Sequence, residues 1–501
     1  MGIVIRQSIK SSIVSYLGIA IGAVNLLWLS TKFLGADQIG LTRVLMGAAL
    51  LFASFAQLGT SQITDRFFPY FRDEERKHHG FFTFLLLYPL IGFLLFCLAA
   101  LLFKDFLLGY YLKKSPLLND YLYYVIPLTF FVMYQSVLES YSRIHLRIVV
   151  PTMVRELFLK LTNSLIISLF ALGVIDFDWF VRLMVASYGL AIVLLIFYIS
   201  WLGRLYFIND FSRWNLLLFR QVVYFGFYII LGGLGVLLTT NIDVLMLPAM
   251  AGLDSTGIYV IATFMAGVIE IPKRSITQIS APLISQAIKS EEMGKVLELY
   301  QKTSIHQLLA GTYIFLGIWC NIDLVFALIP KGELYQQGKY VVAFLGLSKL
   351  IDMSTGANAE IMMYSRYYRF SMITMILLAA LTIGTNYLFI PLYGINGAAF
   401  AAALSIFLFT VVKVWFLWAK FRIQPFTVQT LYAFLMVVVI YLIVRMVPAP
   451  GGSMITMISH IVLRSLVITG LFVGLTLWLR ISPEVSALGA DFYRRARAFI
   501  R

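Results

Sequence analysis

The sequence predicts an all-α polytopic membrane protein of about fourteen transmembrane helices, built as two six-helix lobes related by a parallel repeat plus two C-terminal helices. Three observations predict it. The 501 residues are 60% hydrophobic and 13% charged, with mean hydropathy +0.88, more apolar surface than a soluble fold hides. The apolar runs are long enough to cross a bilayer as helices, which takes about 20 residues, and no strand-like alternation points to a barrel. Finally, FLGADQIGL at 33–41 returns as MAGLDSTGI at 250–258.

The spans fall at roughly 12–34, 44–66, 81–103, 121–142, 150–173, 179–202, 221–247, 257–280, 305–329, 339–363, 369–391, 396–419, 428–447 and 457–479. The first follows Arg6 and Lys10 and is too long for a signal-peptide core, so it reads as a retained span. Lys and Arg orient the chain: 25 lie in the segments on the N-terminal side of the membrane and 8 on the other. The positive-inside rule then puts both termini in the cytoplasm. Segment 281–304, with LISQAIKSEEMGKVLELYQK, reads as an amphipathic cytoplasmic helix and a turn. The basic tail 484–501 suits anionic headgroups. The net charge of +15 sits in short loops, which argues against a nucleic-acid partner.

The repeat has the form Gly-x-Asp-x-x-Gly: Gly35, Asp37 and Gly40, then Gly252, Asp254 and Gly257, all offset by 217 residues. Both copies fall on the outer side, so the offset maps six helices onto six of the same orientation, as in transporters. The expected lobes are 1–203 and 204–420, with 421–501 outside the repeat. Glycine suits a positive φ and aspartate suits a helix cap, so the motif reads as turn architecture.

The 6+6+2 pattern, the FLGADQIGL loop and IPLYGINGAAFAAAL at 390–404 resemble the multidrug/oligosaccharidyl-lipid/polysaccharide exporter superfamily, and its O-antigen and polysaccharide flippase branch in particular. The resemblance implies two lobes in a V, with spans 1, 2, 7 and 8 facing a central cavity. It also implies a polyprenyl-pyrophosphate-linked oligosaccharide as cargo and the bacterial cytoplasmic membrane as location.

Ionisable groups inside spans are site candidates. An anionic head group calls for cations, which Lys32, Arg43, Arg66, Lys273 and Arg274 offer. Sugars call for amides and aromatic faces, which Asn25, Trp28, Gln57 and Asn241 offer. Asp65, Asp243 and Glu270 are candidates for coupling to H+ or Na+. Each has a plainer reading. Glu270 has the spacing to neutralise Lys273 or Arg274, and the cations near span ends suit headgroup anchoring. Buried amides also join helices. Glu139–Arg143, Glu156–Lys160 and Lys349–Asp352 have intrahelical pairing distance. Gly18/Gly22 and Ala399/Ala403 suit close helix packing, and Pro127, Pro248 and Pro272 suit kinks.

No Walker A pattern is present, the five histidines show no ligand spacing, and Cys97 and Cys320 lie in apolar runs. Neither a cofactor nor an enzymatic activity is expected. Asp176-Phe-Asp178 resembles a glycosyltransferase motif but sits in a short outer loop. The leading expectation is a flippase. The alternatives are a lipid II flippase, although the first span lacks the arginines that reading implies, a drug/cation antiporter of the same superfamily, and a membrane glycosyltransferase or polymerase.

Overall fold

The computed structural model describes residues 2–111, 113–207, 214–447 and 452–482. Arg213 and the basic tail 484–501 lie outside the described residues. Among the described residues there are helices and no strands. The principal helices are α1 (Gly2–Val24), α2 (Ala36–Ala56), α3 (Thr60–Phe71), α4 (Phe81–Leu102), α5 (Val125–Ile144), α6 (Leu159–Ala171), α7 (Phe177–Trp201), α8 (Leu216–Ala251), α9 (Leu253–Gly267), α10 (Ile271–Lys289), α11 (Met293–Trp319), α12 (Lys339–Met353), α13 (Asn358–Tyr364), α14 (Tyr368–Phe421), α15 (Val428–Arg445) and α16 (Met454–Trp478).

All fourteen predicted spans fall on these helices, but the backbone punctuates them. Among the described residues nine helices are long and apolar enough to cross a membrane unaided, or ten when a pair bent by 58° after Trp319 is joined. The difference has local causes. The second span breaks at Leu58 and Gly59, which take φ of 50° and 74°. The fifth contains a π-turn at Val154–Phe158, and the first continues into a π-turn at Asn25–Ser30. Spans 11 and 12 are the two limbs of α14, reversed at Gly394, where φ 56° and ψ −131° demand glycine. Thr385 and Ser405 bond at 3.0 Å across that hairpin.

Pro272 does not kink a helix interior. It sits in the first turn of α10, where its missing N–H costs nothing, after a 3-10 turn at Val268–Glu270. Asp176 caps α7 by accepting from the Trp179 N–H at 2.8 Å, and Asp178 pairs with Arg182 at 2.5 Å. Capping and pairing therefore account for the Asp176-Phe-Asp178 pattern.

The chain forms two compact units, Met1–Gly257 and Ile258–Arg501. The core of the first is rich in aromatics, including Phe67, Phe68, Phe71, Phe81, Phe82, Phe84 and Tyr141. The core of the second includes Leu308, Leu316, Met436, Ile440 and Ile468, and a further cluster around Tyr300, Ile361 and Leu417.

Within the first unit the two copies of the repeated motif touch. A Cβ on Gly257 would collide with the carbonyl oxygen of Ala36, and one on Gly40 with that of Leu253. The motif's turn chemistry differs from the expectation. Of its four glycines only Gly252 has positive φ, 90°. Gly35 has φ −74°, and its N–H is accepted by Gln38 Oε1 at 2.9 Å, while Asp37 lies inside the first turn. Gln38, not Asp37, caps α2. The glycines at 40 and 257 serve backbone approach.

Candidate functional site

In the first unit a polar seam joins α1 to the α5–α6 region. Asn25 is 4% exposed. Its amide donates to the Lys160 carbonyl at 2.7 Å and accepts from Ser164 Oγ at 2.5 Å. Both π-turns border this seam, and π-turns recur where a helix re-aims side chains. Lys160 donates to Glu156 at 2.8 Å and to the Gly18 carbonyl at 3.0 Å. The expected Glu156–Lys160 pair forms. The expected Glu139–Arg143 pair does not, because Glu139 takes Arg155 at 2.7 Å and Arg143 takes Asp65 at 3.2 Å. Both incoming partners, Arg155 and Asp65, lie on neighbouring segments rather than on α5 itself.

The remaining predicted residues of this unit are dispersed. Gln57 Oε1 accepts from Ser61 at 2.9 Å, at the break between α2 and α3. Arg66 is exposed and stacks 4.4 Å above the Phe225 ring. Arg43 is exposed on α2, with Tyr188 of α7 within electrostatic reach. Lys32 is exposed over the Phe33 ring at 5.2 Å, and Trp28 is exposed on the first π-turn. Asn241 and Asp243 are half-buried on α8, and a Cβ on Gly47 of α2 would lie 4.0 Å from Asn241 Oδ1.

Three of the five histidines, His78, His79 and His145, lie together without metal geometry. His78 and His145 ring centroids lie 5.8 Å apart, and His79 Nε2 is 3.2 Å from Asp73. Among the described residues no group of three or more His, Cys, Asp or Glu is placed to hold a metal. Beside this cluster Arg204 donates to Glu74 at 2.7 Å, holding that carboxyl below the usual carboxylate range. His145 is pushed down to about 4, chiefly by burial and then by Arg204.

In the second unit five charges gather where α12 meets α10 and the second limb of α14. Glu270, on the 3-10 turn before α10, pairs with Lys349 of α12 at 2.6 Å. Lys273 of α10 pairs closely with Asp352 Oδ2, and Lys413 of α14 approaches Asp352 Oδ1 at 3.5 Å. Two expected pairings are therefore replaced. Glu270 turns to Lys349 instead of Lys273 or Arg274, and Asp352 turns to Lys273 and Lys413 instead of Lys349. Arg274 is exposed.

Lys413 was not among the sequence candidates, and Asp352 was expected only as an intrahelical partner of Lys349. The rule that singled out the others, an ionisable group inside an apolar run, applies equally to Lys413 in FLFTVVKVWFLW. Lys413 lies in the twelfth span, outside the four spans that the resemblance sets around a cavity.

No protein-family model matches the sequence, and no curated protein matches it. Solved structures do. The chain is similar to the lipid II flippase MurJ in an inward closed conformation, at 11% identity and TM-score 0.67, over 93% of this chain and 98% of that one. It is also similar to an inward-facing multidrug resistance MATE transporter of the MOP superfamily, at 14% identity and TM-score 0.61, over 81% and 94%. Both are transporters rather than enzymes. The chain therefore has the fold of the multidrug/oligosaccharidyl-lipid/polysaccharide exporter superfamily, as its two repeated loops foreshadow.

Proposed function

We propose that the chain is a flippase that moves a polyprenyl-pyrophosphate-linked oligosaccharide from the cytoplasmic to the outer leaflet by alternating access. It acts in a bacterial cytoplasmic membrane with both termini in the cytoplasm and six-helix lobes at 1–203 and 204–420. The observation that carries this reading is the cationic set within apolar helices of a transporter fold. Lys273 sits at Asp352, Arg43 is exposed on α2, and Arg66 stacks on Phe225. Charge inside a span faces water or protein and marks a transport path. Lysine and arginine suit a phosphate-bearing head group.

Trp28, Lys32, Arg43, Arg66, Lys273 and Arg274 serve cargo in this reading, with Gln57 and Asn241 toward the sugars. Asn25 supports them by fixing α1 to α6. Asp65, Asp243 and Glu270 are the carboxylates through which H+ or Na+ would couple.

The test is to delete the gene in its host and identify the polyprenyl lipids by mass spectrometry. A complete glycan repeat trapped on the cytoplasmic face is the expected result. An unchanged lipid-glycan pool with altered drug or cation sensitivity replaces the reading with an antiporter. The length of the match to MurJ favours one second reading, lipid II as cargo. Rescue of a lipid II flippase-depleted strain by this chain would establish it.

A further inference from the structure

We propose that Lys273 and Lys413 form an oxyanion subsite in the second unit, for which Asp352 is a built-in competitor. The ligand class is a diphosphate, as in the head group invoked above. The inference rests on that reading for its cargo but stands on its own geometry.

Asp352 is shared. Its Oδ2 takes Lys273, and its Oδ1 is 3.5 Å from Lys413 Nζ. Lys349 is already engaged by Glu270 at 2.6 Å. At contact range, then, one carboxylate serves two ammonium groups. Glu360 of α13 is a further carboxylate that both lysines feel, at longer range. Lys413 is 4% exposed, and its Nζ also sits 4.3 Å from the centre of the Phe409 ring. A buried ammonium needs close compensation, and a long contact to a divided carboxylate supplies little of it. Lys413 is the more weakly compensated of the two ammonium groups.

The cluster is also reachable. The side chains of Lys273 and Asp352 are 23% and 22% exposed, and that of Glu270 is 25% exposed. Glu270 and Lys273 lie in the span-length stretch Leu253–Lys289 and Lys413 in Arg369–Phe421, while Asp352 stands at the end of the 15-residue α12; charge at such places faces protein or water rather than lipid. An oxyanion can therefore approach from the side where Asp352 is accessible. A carboxylate bridging two ammonium groups through its two oxygens occupies the place of a phosphoryl oxygen pair. The competitor explains how the site is emptied. When the anion leaves, Asp352 reclaims both lysines, so no bare charge is left buried and release is not opposed.

The experiment uses the full chain, purified in detergent, with inorganic pyrophosphate as probe at constant ionic strength set with chloride. Affinity is read by calorimetry and by the shift in thermal unfolding. Lys413→Met and Lys273→Met should each weaken pyrophosphate binding at least tenfold. Asp352→Asn should strengthen it severalfold, because the competitor is gone. Binding that is absent, or unchanged in Lys413→Met, overturns the subsite. Weaker or unchanged binding in Asp352→Asn overturns the competitor and leaves Asp352 a structural partner. Should Asp352→Asn not fold, wild-type protein decides. Pyrophosphate should protect Lys273 from reductive methylation, and unaltered labelling overturns the proposal. A subsite that binds pyrophosphate in a chain whose deletion traps no lipid-linked glycan separates the two claims, because the site then stands and the cargo reading falls.

Discussion

Gly40 and Gly257 meet backbone to backbone although they are 217 residues apart in sequence. A Cβ built on Gly40 runs into the Leu253 carbonyl and also lies 3.1 Å from the Gly257 nitrogen. A Cβ on Gly257 runs into the Ala36 carbonyl. Backbone cannot swing aside as a flexible side chain does. Each alanine substitution should therefore cost about 1–3 kcal/mol or more as overpacking. Gly267→Ala is the control, since a Cβ there meets nothing within 4 Å and helix propensity favours it. Thermal unfolding of the three purified variants checks this. Equal stability of Gly40→Ala and Gly267→Ala would refute the packing account.

Asn25 spends both ends of its amide on α6, at Lys160 O and Ser164 Oγ. Asn25→Ala removes both bonds, but Ser164 Oγ still donates to the Lys160 carbonyl at 3.0 Å, so the cost should be about 0.5–1.5 kcal/mol for each bond lost. If the amide only positions α1, transport should fall in proportion to the folded fraction. Measuring stability and transport on the same preparation separates the roles, because a transport defect in a fully folded variant would mean that Asn25 touches cargo.

The Asp65–Arg143 and Glu139–Arg155 pairs should differ in worth. The first is half exposed on both sides, at 48% and 51%, whereas the Glu139 side chain is 19% exposed. A double-mutant cycle on the exposed pair should give at most about 1 kcal/mol and fade with added salt. Glu139→Gln should destabilise more, because Arg155 loses its closest carboxylate. A salt-insensitive, larger coupling for Asp65–Arg143 would contradict this.

His145 sets an acid limit. Burial, with Arg204 second, pushes it down to about 4 from its ordinary 6.5. Below pH 6.5 the unfolded chain takes up a proton that the folded chain refuses until about pH 4. Stability is therefore fully present above 6.5 and lost through that window as pH falls. His145→Gln should flatten the stability profile between those values, as urea or thermal unfolding against pH would show. An unchanged slope would place the acid sensitivity elsewhere.

Much of the fold was legible because hydrophobic length acts locally. Twenty apolar residues announce a span whatever they pack against. The duplicated Gly-x-Asp-x-x-Gly was visible as text, and its offset of 217 pointed to a repeat. Its physical purpose was not visible. The sequence suggested positive φ and an aspartate cap, whereas Gly40 and Gly257 are small so that two backbones can touch, a fact about residues distant in the chain.

The charge pairs show the same division. Spacing of three or four correctly gave Glu156–Lys160, whose partners share one stretch of helix. It failed for Glu139, Glu270 and Asp352, each of which pairs across to another helical segment. An i,i+4 pair is worth only about 0.2–0.5 kcal/mol, so any well-placed cation on a neighbouring helix outbids it. The sequence by itself determined that this is a helical membrane protein with a duplicated plan and charge inside its spans. Only the tertiary structure decided which charges meet, because that depends on helix rotation and proximity, which no spacing along one helix encodes.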